Sequence, residues 1–196
     1  MEKKFELNSD LLTKLSVQPL LAVYLEMNHL KQLYRQGWLR VGVSSEQCES
    51  VADHIYAMSM LVWLVVDAGL APGVDRDKAL RMALAHELGE IYTGDIIPSD
   101  RVPPEEKQRL EREALLSVVG KLPFGQEYVD LWEEFEAGDS PEARLVRQLD
   151  RLEMALQALV YEKQGHRNMG SFYHSAEEAV RSTELTELLE TVQRLR

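Results

Sequence analysis

Three stretches of the chain set an ionisable side chain where the surrounding apolar spacing calls for a hydrophobic one. His54 falls in the stripe Val51, His54, Met58, Leu61. His86 falls in Ala79, Met82 or Ala83, His86, Glu90, and Asp150 in Ala143, Val146, Asp150, Met154, Ala158. Burying a carboxylate or an imidazole without a partner is costly, so each must find a hydrogen bond, a counter-charge or a metal ion. Taken singly, a core polar group satisfied by a neighbouring helix accounts for any one of them. A shared divalent ion accounts for all three, and imidazole nitrogen mixed with carboxylate oxygen suits Mn, Fe, Co, Ni or Zn better than calcium. Glu87 adjoins His86, about 100° further round a helix, so both can reach one ion from the helix edge. His54, His86, Glu87 and Asp150 then supply four ligands and leave positions for water and substrate oxygens.

Two more carboxylates belong to this region. Glu90 lies one turn beyond His86, where it could hold or deprotonate water at the ion. Asp95 follows Gly94 at the expected rim of the pocket, placed either to protonate a leaving group or simply to form a turn. The run His86-Glu87-Leu88-Gly89-Glu90 does not make the zincin motif, which needs a histidine where Glu90 stands. Asp53 reads as solvated or as a partner to a ligand, and His29, His166 and His174 as surface or loop residues.

These residues need helices to carry them, and apolar spacing is helical almost throughout, with no sustained alternation of the strand type. The expectation is an all-α, single-domain bundle of six or seven helices. A short helix begins near Ser9. A second starts at Pro19, buries Leu20, Leu21, Tyr24, Met27, Leu30 and Tyr34, and ends at Gly37. Trp38 to Cys48 reads as a loop, and Ser50 to about Gly69 as the helix of His54. Asp75 caps a helix running through His86 to Thr93-Gly94. Further helices follow from Pro103-Pro104 to Val119, near Gln126 to Glu136, and from Ser140-Pro141 to about Tyr161. A loop from Gly165 to His174 leads to one terminal helix.

Composition narrows the partners. The 196 residues are 45% apolar and 28% charged, with 33 acidic against 22 basic side chains and a net charge of −11. That is ordinary for one globular domain. So acidic a surface repels long nucleic acids and anionic membranes, which are bound mainly through Lys and Arg. The lone Cys48 fits a reducing compartment, and the first residues lack the apolar core of a signal peptide, so a soluble, cytoplasmic protein is expected.

The runs Glu49-Ser50-Val51-Ala52-Asp53-His54, His86-Glu87-Leu88-Gly89-Glu90 with Thr93-Gly94-Asp95-Ile96, and Gln148-Leu149-Asp150 resemble the H…HD…D pattern of the HD-domain metal phosphohydrolases. Within them the chain is most similar to the YfbR-like 5'-deoxynucleotidases. The similarity runs from about residue 20 to 173 and includes Arg35-Gln36-Gly37-Trp38, Pro103-Pro104-Glu105-Glu106-Lys107, Leu131-Trp132-Glu133-Glu134-Phe135 and Phe172-Tyr173. One position departs: the aspartate of the His-Asp pair is Glu87, longer by a methylene.

The resemblance implies a single HD domain spanning 1–196 in which His54, His86, Glu87 and Asp150 hold one divalent ion (Co, Mn, Zn, Fe, Ni or Mg). It further implies that Glu90 activates the attacking water, and that Asp95 assists or protonates the leaving 5'-oxygen. Arg35 would contact the phosphate, and Trp38 would border the sugar or base. The implied activity is hydrolysis of (deoxy)nucleoside 5'-monophosphates by a homodimer. The alternative is a regulatory module that binds metal or nucleotide without turnover.

Overall fold

The computed structural model describes residues 18–196, so the helix expected near Ser9 lies outside the described residues. These residues form ten α-helices, two 3-10 turns and no strand beyond one isolated bridge. α1 (Pro19–Met27) opens on a first-turn proline, whose missing N–H is no loss there. A 3-10 turn (Asn28–Gln32) leads to α2 (Gln36–Arg40) and then to α3 (Val51–Asp67), α4 (Arg76–Ala85) and α5 (Glu90–Thr93). After a proline-containing loop come α6 (Pro104–Val119), α7 (Gln126–Ala137), α8 (Pro141–Lys163), α9 (Gly170–Ala179) and α10 (Thr183–Arg194).

The helices that matter for chemistry start where the sequence says they should. Ser50 and Asp53 form a reciprocal capping box at α3: the Ser50 hydroxyl accepts from the Asp53 N–H at 3.2 Å, and Asp53 accepts from the Ser50 N–H at 2.8 Å. Asp53 is exposed, as expected, and its carboxylate serves the start of the helix. Asp75 caps α4 through the Lys78 N–H, and Ser140 caps α8 through the Ala143 N–H. α3, α4 and α8 pack on one another, and α9 lies along α8. Two apolar clusters form the interior. One includes Met58, Met82, Leu149 and Tyr161, and the other Val51, Ile55, Leu88, Leu115 and Trp132.

Several expectations need correction. The second helix stops at Met27, not Gly37, and its buried side is Ala22, Val23 and Glu26, while Leu20, Leu21 and Tyr24 are exposed. Glu26 faces inward because Lys121 meets its carboxylate at 2.6 Å, a counter-charge that apolar periodicity cannot register. Leu33 is extended (φ −87°, ψ 119°), and the next residues are held by long-range backbone bonds: Tyr34 bridges Ser50, the Arg35 N–H donates to the Glu49 carbonyl, and the Val51 N–H donates to the Leu33 carbonyl. Gly37 and Trp38 then lie inside α2 instead of at a helix end and in a loop.

The helix from Asp75 breaks after Ala85. Residues 86–89 form tight turns, with the Leu88 N–H on the Ala85 carbonyl and the Glu90 N–H on the Glu87 carbonyl, before α5 resumes. Gly89 permits this: a Cβ there would stand 2.6 Å from the Glu111 Cβ, so α6 presses directly on the turn. The terminal segment is two helices. Its helical start at Gly170 falls inside the expected loop, and a break at Val180-Arg181 is stabilised by the Gln148 side-chain carbonyl, which accepts from the Arg181 and Ser182 N–H groups at 2.7 and 3.1 Å. Finally, His29 is buried, whereas His174 is exposed as expected.

Candidate metal centre

α3, α4 with its following turn, and α8 each deliver one element of the centre. His54 is fully buried on α3, His86 is 2% exposed at the end of α4, and Asp150 is 6% exposed on α8. With Glu87 they offer four ligand atoms that all lie within 4.8 Å of one another. The two imidazole rings sit 5.5 Å apart, and Phe135 packs edge-on against His86.

The hydrogen bonding shows which ring atoms are free. His86 Nδ1 is 2.7 Å from the Ala83 carbonyl and His54 Nδ1 is 2.7 Å from Glu153 Oε2. A carbonyl or carboxylate oxygen only accepts, so each Nδ1 carries the proton. His54 Nε2, His86 Nε2 and Asp150 Oδ1 are all buried and complete no hydrogen bond, although His54 Nε2 and Asp150 Oδ1 are only 3.2 Å apart. Buried polar atoms are almost always satisfied. Three unsatisfied donor atoms on three different elements, with a carboxylate oxygen of Glu87 3.6 Å from His86 Nε2, fit a divalent cation.

Charge is distributed accordingly. Burial would raise the Glu87 carboxyl, but the Arg35 guanidinium and the His54 charge help pull it down to about 2. Burial opposes ionisation of Asp150 as well, yet Arg151 and His54 hold it well below the usual carboxylate range. Burial and the Arg35 charge would lower His54, but its contacts with Asp150 and Glu153 win and raise it to about 10. Desolvation lowers His86 and keeps it neutral. Glu90, 2% exposed, is pushed well above its ordinary value by burial and by the neighbouring Glu87 and Asp95 charges.

The expected substrate-side residues divide. Arg35 is brought into the centre by the extended residue before α2. It is 8% exposed and donates to Glu87 at 3.1 Å and to Asp95 at 3.4 Å. Asp95 is buried instead of standing at a rim: Gly94, at φ 75° and ψ 174°, turns the chain inward in a conformation almost confined to glycine, and Asp95 also accepts from the Gln36 N–H at 2.5 Å. Trp38 is 1% exposed, stacks on Phe172 at 3.8 Å and donates its indole N–H to Glu49 at 2.7 Å, so it has no free face for a base or sugar here.

Two residues to which the sequence reading gave no role also bear on the centre. Glu153 follows Asp150 by three positions on α8, a spacing that puts both on one helix face and could have revealed it. Lys107, in the first turns of α6, pairs with Glu111 at 2.5 Å and feels the Glu87 and Glu90 charges; only the fold brings it there.

Comparison with known proteins agrees with this architecture. Residues 27–193 match the HD domain family. The chain is 37% identical over 167 residues to the human 5'-deoxynucleotidase HDDC2, covering 83% of this chain and 79% of that one. It is 41% identical over 139 residues to the Danio rerio protein of the same name, covering 70% of this chain and 66% of that one. A solved structure from Pyrococcus horikoshii superposes with a TM-score of 0.77 at 35% identity, covering 90% of this chain and 99% of that one. A helical fold with His, His, Glu and Asp converging from α3, α4 and α8, matched along most of its length, makes this chain a member of the HD-domain family.

Proposed function

We propose that this chain, as a single HD domain, is a divalent-metal-dependent phosphohydrolase that converts deoxynucleoside 5'-monophosphates to nucleoside and phosphate. The observation that carries the reading is the convergence of the unsatisfied His54 Nε2, His86 Nε2 and Asp150 Oδ1 beside Glu87, with the buried Arg35 guanidinium alongside. The names borne by the human and Danio rerio relatives point to the substrate class.

His54, His86, Glu87 and Asp150 would hold one ion of the Co, Mn, Zn, Fe, Ni or Mg group, which when bound lowers the pKa of water and polarises a phosphoryl oxygen. Arg35 orients the substrate phosphate by charge-assisted hydrogen bonds, which are stronger than neutral ones. Glu90 takes the proton from the attacking water; burial and the Glu87 and Asp95 charges disfavour its ionised form, which makes that carboxylate a stronger base. Asp95, fixed by the Gln36 N–H and the Arg35 guanidinium, assists Glu90 at the attacking water, and the proton taken from that water passes on to the leaving 5'-oxygen. Trp38 acts from behind, through Glu49.

A cytoplasmic homodimer completes the reading. No helix of the described residues is long and apolar enough to cross a membrane, and the exposed Leu20, Leu21 and Tyr24 of α1 offer an apolar face. The test is phosphate release from a panel of 2'-deoxy and ribo 5'-monophosphates with each divalent metal, beside Asp150→Ala and Glu90→Ala. Turnover by the parent chain and not by the variants is expected. Equal rates in all three under every metal would refute the enzyme, and metal binding without turnover would leave a regulatory module.

A further inference from the structure

Metal-binding histidines need one ring nitrogen free and the other fixed, and the two histidines of this centre are fixed by different chemistry. His86 Nδ1 faces a backbone carbonyl, that of Ala83, which no substitution can remove. His54 Nδ1 faces a side chain, the Glu153 carboxylate, at 2.7 Å. Glu153 is itself 4% exposed, so this is a buried charge used for one ring. A carboxylate behind an imidazole fixes its tautomer and orientation and also makes its free nitrogen more basic, which a neutral carbonyl does to a lesser degree.

We infer that Glu153 is a positioning residue: it keeps the His54 proton on Nδ1, aims Nε2 at the ion, and strengthens that nitrogen as a ligand. The inference rests on the metal centre proposed above. It also explains why a helix that already carries the ligand Asp150 places a second acidic group three residues on, where the apolar stripe would admit a hydrophobic side chain. Glu49, whose carboxylate lies within 4.8 Å of the His54 and Glu153 atoms, belongs to the same arrangement. It accepts the Trp38 indole N–H at 2.7 Å, so the wall formed by Trp38 and Phe172 is joined to the back of the centre.

The experiment titrates the metal-free full chain and two variants, Glu153→Gln and Glu153→Met, with Co²⁺ and follows its visible absorption. The zinc-loaded proteins are then examined by proton NMR for the His54 Nδ1–H. The wild type should take up one Co²⁺ per chain and show a slowly exchanging Nδ1–H resonance. Loss of a residue that orients a metal ligand typically weakens metal binding by about 10–100-fold. Glu153→Gln, which keeps an acceptor but not the charge, should weaken Co²⁺ binding about tenfold, near the lower end of that range. Glu153→Met, which keeps neither, should approach about a hundredfold, alter the cobalt spectrum and lose the protected resonance.

If Glu153→Gln binds Co²⁺ with the wild-type affinity and spectrum, the inference is overturned even where the Met variant fails to fold. It is overturned too by a second equivalent of Co²⁺ in the wild type that disappears in both variants, since Glu153 would then be a ligand. Failure of the wild type to bind Co²⁺ refutes the centre itself, a different result from an unchanged variant.

Discussion

Replacing Arg35 with methionine separates the electrostatics of this centre from simple packing. Arg35 is buried and faces Glu87 at 3.1 Å and Asp95 at 3.4 Å. Methionine retains much of the aliphatic stem but leaves both carboxylates without their cation. Removing one partner of a buried ion pair costs about 3–5 kcal/mol, because the other charge stays behind uncompensated. For a chain of 196 residues, at about 2–4 °C per kcal/mol, the metal-free variant should melt about 6–20 °C below the wild type at pH 7. The sign of its pH dependence follows. Arg35 helps hold Glu87 down to about 2, so without it the Glu87 pKa rises in the folded state and protonation removes the penalty. The gap in melting temperature should therefore narrow as pH falls from 7 towards 4.

A divalent ion supplies the missing positive charge. Saturating metal should consequently raise the melting temperature of Arg35→Met by more than it raises that of the wild type. Catalysis does not recover in parallel, because the ion cannot replace the guanidinium contact with phosphate. At about 1.5–3 kcal/mol for a charged hydrogen bond, kcat/KM should drop about 10–150-fold. Calorimetry with and without metal at the two pH values, together with phosphate release, checks each part. A metal-free loss under about 3 °C, or one that is equal at pH 7 and pH 4, would falsify the electrostatic account.

Glu87→Asp draws the carboxylate back by about 1.5 Å, one carbon–carbon bond; the variant should fold, keep one metal per chain and turn over at an equal or higher rate, and loss of stoichiometric metal in elemental analysis would show a site tuned to glutamate. Metal binding must displace the proton that the Asp150 and Glu153 contacts hold on His54 up to about pH 10, so apparent affinity should rise about tenfold per pH unit from pH 7 towards 10. Calorimetric titration in buffers of different ionisation enthalpy measures the released proton, and a flat pH profile contradicts it. Gly89→Ala would bring a Cβ to 2.6 Å from the Glu111 Cβ and 3.0 Å from its carbonyl oxygen. At the about 1–3 kcal/mol typical of overpacking, thermal melts should shift down by several degrees, and kcat should fall because Glu90 moves with the turn; an unchanged melt and rate would mean that the close approach of α6 is unimportant.

The sequence by itself determined the helical class, the caps at Asp75 and Ser140, and the four ligand candidates. Each follows from local chemistry: a period of 3.6 residues, a side-chain oxygen before a helix, or a polar group where its own stripe is apolar. Glu153 was within reach of the same reasoning through its spacing from Asp150.

Only the tertiary structure decided which side of α1 is buried, because Glu26 is drawn inward by Lys121 from the turn after α6, nearly a hundred residues away. It decided that the helix after Asp75 breaks at His86, in a turn on which α6 packs so closely that position 89 has no room for a Cβ. And it decided that Arg35 and Asp95 meet inside the centre, through an extended residue pinned to Glu49 and a turn at Gly94 that brings segments sixty residues apart to 3.4 Å. The common reason is range. Periodicity and capping record forces between residues a few positions apart, whereas counter-charges, steric exclusion and backbone bonds between distant segments exist only once the chain has folded.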